Sequence, residues 1–293
     1  MDKANATPPL FPESMRQPPR RPVTAGTFFP GTAKDLQAVL DHLYAQSVKA
    51  DEKEHDNAIL VMAPHAGYVY SGSTAAKTLR QTRLPRRIVL LGPCHQHRGA
   101  GLSLWPGDAW LTPLGETPVD MDFYQRLMDS DAGFAFDAAA HKQEHSLEVL
   151  VPFLQARRAD IAISPVAVSL SAPAGLRRAG EALAGAIRAC AEADGERPLM
   201  VVSSDMNHYL SQDNTEKLDG MALAALSPQD PLALYKTVVN NDITMCGVLP
   251  MTLGLFAARE LGASEARLLA YATSGAVSGD FSRVVGYAGV LVE

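Results

Sequence analysis

Three cysteines in 293 residues, Cys94, Cys190 and Cys246, are an odd number without the spacing of a secreted disulfide framework. They read as free thiols. No apolar run approaches the roughly eighteen residues of a membrane span. The first residues, with Asp2, Glu13 and several prolines, lack a signal-peptide apolar segment, so the expectation is a cytoplasmic protein without membrane contact. Positive charge is also short. Twenty-six Lys and Arg against 32 Asp and Glu give a net charge of −6, which removes the basic footprint that a nucleic-acid partner requires. The one basic cluster near a terminus, Arg16, Arg20 and Arg21, reads as a solvated tail. No Gly-x-Ser-x-Gly elbow accompanies the serines and histidines, which ranks a Ser-His-Asp hydrolase low.

What is present is an ordinary globular composition, 47% hydrophobic and 20% charged, at a length that α/β proteins reach as one domain. Six prolines between Pro8 and Pro22 make residues 1–22 an extended or disordered leader. Residues 23–293 read as a single domain with no repeat or linker. A helical repeat through Leu36, Val39, Leu40 and Leu43 opens it. Strand patterns then fall at 58–63, 87–92, 101–104, 161–168, 198–203, 266–272 and 284–292. Helical patterns fall at 72–80, 119–129, 146–151, 174–193, 214–226, 231–240 and 248–261, the one at 146–151 limited by Pro152. Strands alternating with helices predict a sheet covered on both faces.

Four histidines stand out by position. His65, His95 and His208 each follow a strand pattern, and His145 lies beside a helix start. In open α/β sheets, ligands bind in the crevice beyond the carboxyl ends of the strands, so these residues are expected to converge on one metal-binding or acid/base pocket. A single histidine among them would as readily be a buried structural residue. Gly92-Pro93-Cys94-His95-Gln96-His97 offers two imidazoles, but a zinc site from that segment alone lacks the second ligand pair that structural zinc requires. In Glu144-His145-Ser146-Leu147-Glu148, Ser146 is a candidate N-cap, and the helix dipole keeps His145 neutral. Asp205 and His208 are spaced to meet on a helical turn, where the carboxylate would orient the imidazole. Cys246, before a helix, is either an inert buried thiol or one activated by the helix N-terminus.

Taken together, Arg21-Pro22-Val23-Thr24-Ala25-Gly26-Thr27-Phe28-Phe29-Pro30, Pro64-His65-Ala66-Gly67-Tyr68-Val69-Tyr70-Ser71-Gly72, Gly92-Pro93-Cys94-His95, Glu144-His145-Ser146-Leu147-Glu148, Ser203-Ser204-Asp205-Met206-Asn207-His208-Tyr209 and Cys246-Gly247 resemble the MEMO family, also called AmmeMemoRadiSam system protein B. The motifs occur in the family's order and span nearly all of the chain after the leader. The resemblance implies a three-layer α/β/α sandwich with a central mixed sheet, similar to class III extradiol dioxygenases. It implies a metal, iron or copper, held by His65, His95 and Cys246. Asp205 and His208 would line the same pocket. His208, oriented by Asp205, would move protons, and His145 would bind substrate or a metal-bound water.

Cys94 stands where the family usually has Ser, and Asn207 where a smaller polar residue is expected. Cys94 therefore adds a thiol whose exchange with Cys246 is an open expectation. A thiolate in place of the carboxylate of non-haem iron oxygenases argues against inferring ring cleavage from fold. The leading expectation is a metal-dependent oxidoreductase of unknown substrate, acting with radical SAM and AMMECR-type pathway partners. The alternatives are a non-catalytic module binding a peptide or small molecule in the same pocket, and a zinc-dependent hydrolase.

Overall fold

The computed structural model describes residues 10–47 and 54–293. Eleven strands occur among them: β1 (Leu60–Ala63), β2 (Arg87–Pro93), β3 (Leu102–Leu104), β4 (Ala109–Thr112), β5 (Gly115–Pro118), β6 (Phe134–Phe136), β7 (Ala162–Val168), β8 (Leu199–Ser203), β9 (His208–Leu210), β10 (Ala266–Thr273) and β11 (Val284–Val292). The helices are α1 (Ala33–Gln46), α2 (Tyr68–Arg80), α3 (Met121–Asp129), α4 (Val151–Arg157), α5 (Pro173–Asp194), α6 (Gln212–Ala224), α7 (Pro231–Asn240), α8 (Val248–Glu260) and the single turn α9 (Gly275–Ser278).

One large mixed sheet runs in the order β10-β11-β1-β8-β2-β7-β3-β6, with β9 paired to β11. Its centre, β1-β8-β2-β7, is parallel. Apart from Arg87, every residue of these four strands is buried. That is why they read as unbroken apolar runs rather than as alternating patterns. Both faces of the sheet are covered. Gly289 of β11 lies against Thr78 of α2, while Gly286, three residues earlier and so on the other face, lies against Asp219 of α6. Gly254 of α8 sits directly on Leu60 and Val202. Among the described residues, no helix is long and apolar enough to cross a membrane.

The expected strands and helices occur with shifted ends, except that the helix expected at 146–151 is replaced by a 3-10 turn and a helix beginning at Val151. Pro152 does not end a helix. It sits in the first turn of α4, where the missing N–H costs nothing, and a short 3-10 turn (Glu148–Leu150) leads into it. The hairpin of β4 and β5 is absent from the sequence reading because Gly115-Glu116-Thr117-Pro118 has no strand pattern. The final strand β11 lies inside the sheet, between β10 and β1.

The described part of the leader, residues 10–22, runs along the domain and bridges to Gly107 and Trp110. Arg20 is a correction to the solvated-tail reading: it is 3% exposed. Its guanidinium pairs with Glu148 at 2.7 Å, donates to the carbonyls of His141 and Glu144, and lies 4.3 Å from the Trp110 ring centroid. Glu148 also accepts the backbone N–H groups of Val23 and Thr24 and the Thr24 hydroxyl. The apolar stem and aromatic cover hide the charge from sequence reading, because only a partner 128 residues away explains its burial. Removing one member of a buried pair strands the other. Arg20→Met is therefore expected to lower the unfolding free energy by about 3–5 kcal/mol in denaturant titration; a loss under about 1 kcal/mol contradicts this placement.

Candidate metal centre

The strand order β1-β8-β2 sets the carboxyl ends of three strands side by side, delivering His65, Asp205 and His95 to one edge. His145 arrives from the loop after a 3-10 turn (Ala138–Ala140), and Cys246 from the turn before α8. Cys246 is seated by its neighbour. A side chain at Gly247 would collide with Ser204, whose hydroxyl instead accepts the Gly247 N–H at 3.0 Å and donates to the Asp205 carbonyl at 2.7 Å.

The three rings of His65, His95 and His145 form one cluster. His95 and His145 stack at 4.9 Å, and His65 meets them edge-on at 5.3 and 5.5 Å. Cys246 Sγ lies 3.5 Å from His65 Nε2. The ligating atoms of His65, His95 and Cys246 all fall within 4.8 Å of one another.

Hydrogen bonds fix which nitrogens are free. Ser203 Oγ donates to the Ser146 carbonyl at 2.5 Å, so it accepts from His65 Nδ1 at 2.7 Å and leaves the Nε2 lone pair toward Cys246. His95 Nδ1 donates to Glu144 Oε1 at 2.8 Å, which likewise leaves Nε2 open. Glu144 further accepts the N–H groups of His95, His145 and Ser146. A second grouping, His95, Glu144 and His145, also has metal-ligand spacing. It is the weaker donor set, because the carboxylate is already saturated by four N–H donors.

Charge in the site is unbalanced. Burial, reinforced by the neighbouring imidazoles, holds His65 well below its usual pKa, and burial lowers His145 as well. Burial and then the Asp205 carboxylate push the Cys246 thiol up. Of the two readings of the thiol, this is the inert one, since desolvation outweighs the helix end. Burial also raises Asp205, against the His65 N–H that its Oδ1 accepts at 2.8 Å. Burial alone would raise Glu144, but His95 and the backbone donors outweigh it and bring Glu144 down to about 2. For His95 the burial penalty is overcome by Glu144, and its pKa rises.

Several sequence-level roles change. Asp205 and His208 do not share a helical turn; the segment before β9 is irregular, and His208 Nδ1 donates to the Thr244 carbonyl at 2.9 Å. Asp205 holds the His65 and Ala66 backbone instead. Ser146 is not an N-cap, since its hydroxyl donates to the Pro93 carbonyl. Cys94 turns toward the Arg98 and Ala140 carbonyls and packs with Ala140 and Ala167, away from Cys246, so the thiol-exchange expectation has no geometric basis. His97 is exposed with φ 48° and stays outside the cluster.

Glu144 is the residue that sequence reading missed as a functional partner. Its adjacency to His145 was the visible signal, yet its role depends on His95, 49 residues away. A carboxylate with a depressed folded pKa stabilises above its ordinary pKa and loses that contribution as pH falls through the folded value. In metal-free protein, the stability advantage of wild type over Glu144→Gln, on the order of 3 kcal/mol at neutral pH, is expected to shrink as pH falls from 4.5 toward about 2. An advantage that does not change with pH in denaturant titrations contradicts this role.

Comparison with known proteins accords with the motifs. The sequence profile described as Memo-like protein matches residues 20–291. A MEMO1 family protein of Aquifex aeolicus is 37% identical over 274 residues, covering 93% of this chain and 98% of that protein. One from Thermotoga neapolitana is 36% identical over 284 residues, covering 94% and 99%. The crystal structure of an uncharacterized protein from Escherichia coli K12 aligns with TM-score 0.49 and 18% identity, over 78% of this chain and 98% of that one. By its family profile and by full-length relatives at more than a third identity, the chain belongs to the Memo-like (MEMO1) protein family.

Proposed function

We propose that His65, His95 and Cys246 hold one metal ion and that the protein is a metal-dependent oxidoreductase acting on a small molecule or peptide. The observation that carries this reading is the 3.5 Å separation of Cys246 Sγ from the free Nε2 of His65, with His95 in reach of both. Bonds of about 2.0–2.3 Å in tetrahedral geometry place neighbouring sulfur and nitrogen ligands roughly 3.5 Å apart. The donor set fits a cation in charge as well. Two imidazoles presenting lone pairs beside a buried thiol and two carboxylates favour a positive ion, and a bound ion reverses the penalty that keeps the thiol protonated.

Iron or copper there would supply electron exchange, whereas zinc would supply Lewis acidity. The thiolate, softer than a carboxylate, supports the redox reading. The remaining roles belong to the chain's own groups. Ser203 and Glu144 orient the two imidazoles and fix their tautomers. Asp205 anchors the His65 backbone, and its own N–H donates to Cys246 Sγ at 3.2 Å. His145, kept neutral by burial and stacked on His95, would bind substrate. His208, with Nδ1 committed to Thr244, keeps Nε2 for proton exchange with solvent. The likeness of fold to class III extradiol dioxygenases, the single domain at 23–293 and the pathway shared with radical SAM and AMMECR-type proteins belong to the same proposal; ring cleavage does not.

A zinc-dependent hydrolase would use the same donors, and a binding module would not need them. Metal analysis of purified protein separates these readings. Iron or copper is expected near one per chain in wild type, falling below about a tenth of that in His65→Ala, Cys246→Ser. Equal content in both proteins contradicts the ligand assignment, and zinc alone, without oxygen consumption, favours the hydrolase.

A further inference from the structure

Beside the Asp205 loop lies an open cavity of about 290 Å³, lined by Tyr70, Tyr209, Arg283, Tyr287, Ser274 and Asp280. That volume is at the low end of the roughly 300–1,000 Å³ that small-molecule sites occupy. It accommodates one ring and its substituent. The cavity belongs to the neighbourhood of the metal centre by construction. Met206 N–H donates to the Gly286 carbonyl at 2.8 Å and Gly286 N–H to the Asn207 carbonyl at 2.9 Å, tying the Asp205–His208 segment to β11 next to Tyr287. Burial and then the nearby Asp205 carboxylate raise the Tyr287 phenol.

Three features give the cavity a chemistry. Tyr209 has φ 64°, a left-handed backbone that a bulky side chain adopts at a cost, and the residue is 63% exposed instead of being buried in compensation. Strain retained for an exposed aromatic points to use of that ring. Arg283 sits 5.5 Å from the Tyr209 ring centroid and makes no ion pair or hydrogen bond among the described residues. Its guanidinium is steadied by the ring and has donors free, the arrangement suited to bidentate capture of a planar anion. Asp280 shares the cavity, with its carboxylate engaged by Ser282. Arg283 offers a carboxylate one counter-charge, while Asp280 beside it and the net charge of −6 weigh against the higher average charge of phosphate.

We propose that this cavity is a recognition subsite for an aromatic carboxylate, with Arg283 gripping the acid and Tyr209 and Tyr70 stacking on the ring. The inference deepens the metal-centre reading, on which it rests for the claim that the gripped molecule is substrate, by naming its chemical class. Binding at the subsite itself needs no metal.

Titration calorimetry on metal-free full-length protein tests it, with benzoate, benzamide and inorganic phosphate as probes. Benzoate is expected to bind about tenfold or more tightly than benzamide and phosphate. Arg283→Gln and Tyr209→Gly are each expected to weaken benzoate about tenfold. The glycine variant relieves the backbone strain, so it is expected to melt no lower than wild type. Benzamide or phosphate binding as tightly as benzoate, or wild-type benzoate affinity in either variant, overturns the proposal. His65→Ala, Cys246→Ser is expected to keep the benzoate affinity. Loss there with retention in Arg283→Gln overturns the subsite by placing benzoate at the histidines, whereas loss of metal in that variant with unchanged benzoate binding keeps the two claims separate.

Discussion

Arg20 and Glu148, both buried, meet at 2.7 Å between the leader and the loop that carries His145. An isolated charge there would be untenable, so each residue fixes the other, and the remaining contacts fix what surrounds them. Arg20 Nη2 donates to the Glu144 carbonyl, which sets the backbone from which the Glu144 side chain reaches His95. Glu148 collects the Val23 and Thr24 N–H groups, which positions the turn bearing Phe28, whose ring meets His145 at 4.9 Å. The geometry of two histidines thus depends on an ion pair in which neither takes part. Loss of either partner would leave the other as an uncompensated buried charge, which ties both segments to this arrangement.

The same loop organises the chemistry. A cluster of three imidazoles and a thiol is poorly matched to the interior: burial disfavours the protonated imidazoles and the thiolate alike. Glu144 relieves this for His95 alone, whose pKa it raises, while Asp205 adds to the penalty on the Cys246 thiolate. What remains free is a set of lone pairs converging on one point. The proposed cation would sit at that point, and the tautomers imposed by Ser203 and Glu144 leave the ring nitrogens facing it.

Much of this was legible before any coordinates. The buried parallel strands announce themselves as apolar runs, and the residues after them, His65, His95 and Asp205, fall at the sheet edge that topology makes a binding crevice. Cys246 is legible only through family resemblance; from its own surroundings an inert buried thiol is the commoner reading. Arg20 was not legible, since a basic residue among prolines looks solvated until its acceptors, more than 100 residues on, are in place. Glu144 and Asp205 failed for a related reason. Sequence spacing suggests local pairs, such as Asp205 with His208, but the fold gives each carboxylate a long-range backbone partner instead. The β4–β5 hairpin, β6 and β9 escaped because elements of three or four residues carry almost no periodicity.

The central claim is one ion held by His65, His95 and Cys246, not by the alternative grouping around Glu144. Anomalous scattering from a metal-loaded crystal, collected on both sides of the absorption edges of iron, copper and zinc, tests it most directly. The account predicts a single peak about 2.0–2.3 Å from His65 Nε2, His95 Nε2 and Cys246 Sγ, with Glu144 still hydrogen-bonded to His95. A peak among His95, Glu144 and His145, or no peak after loading, contradicts it.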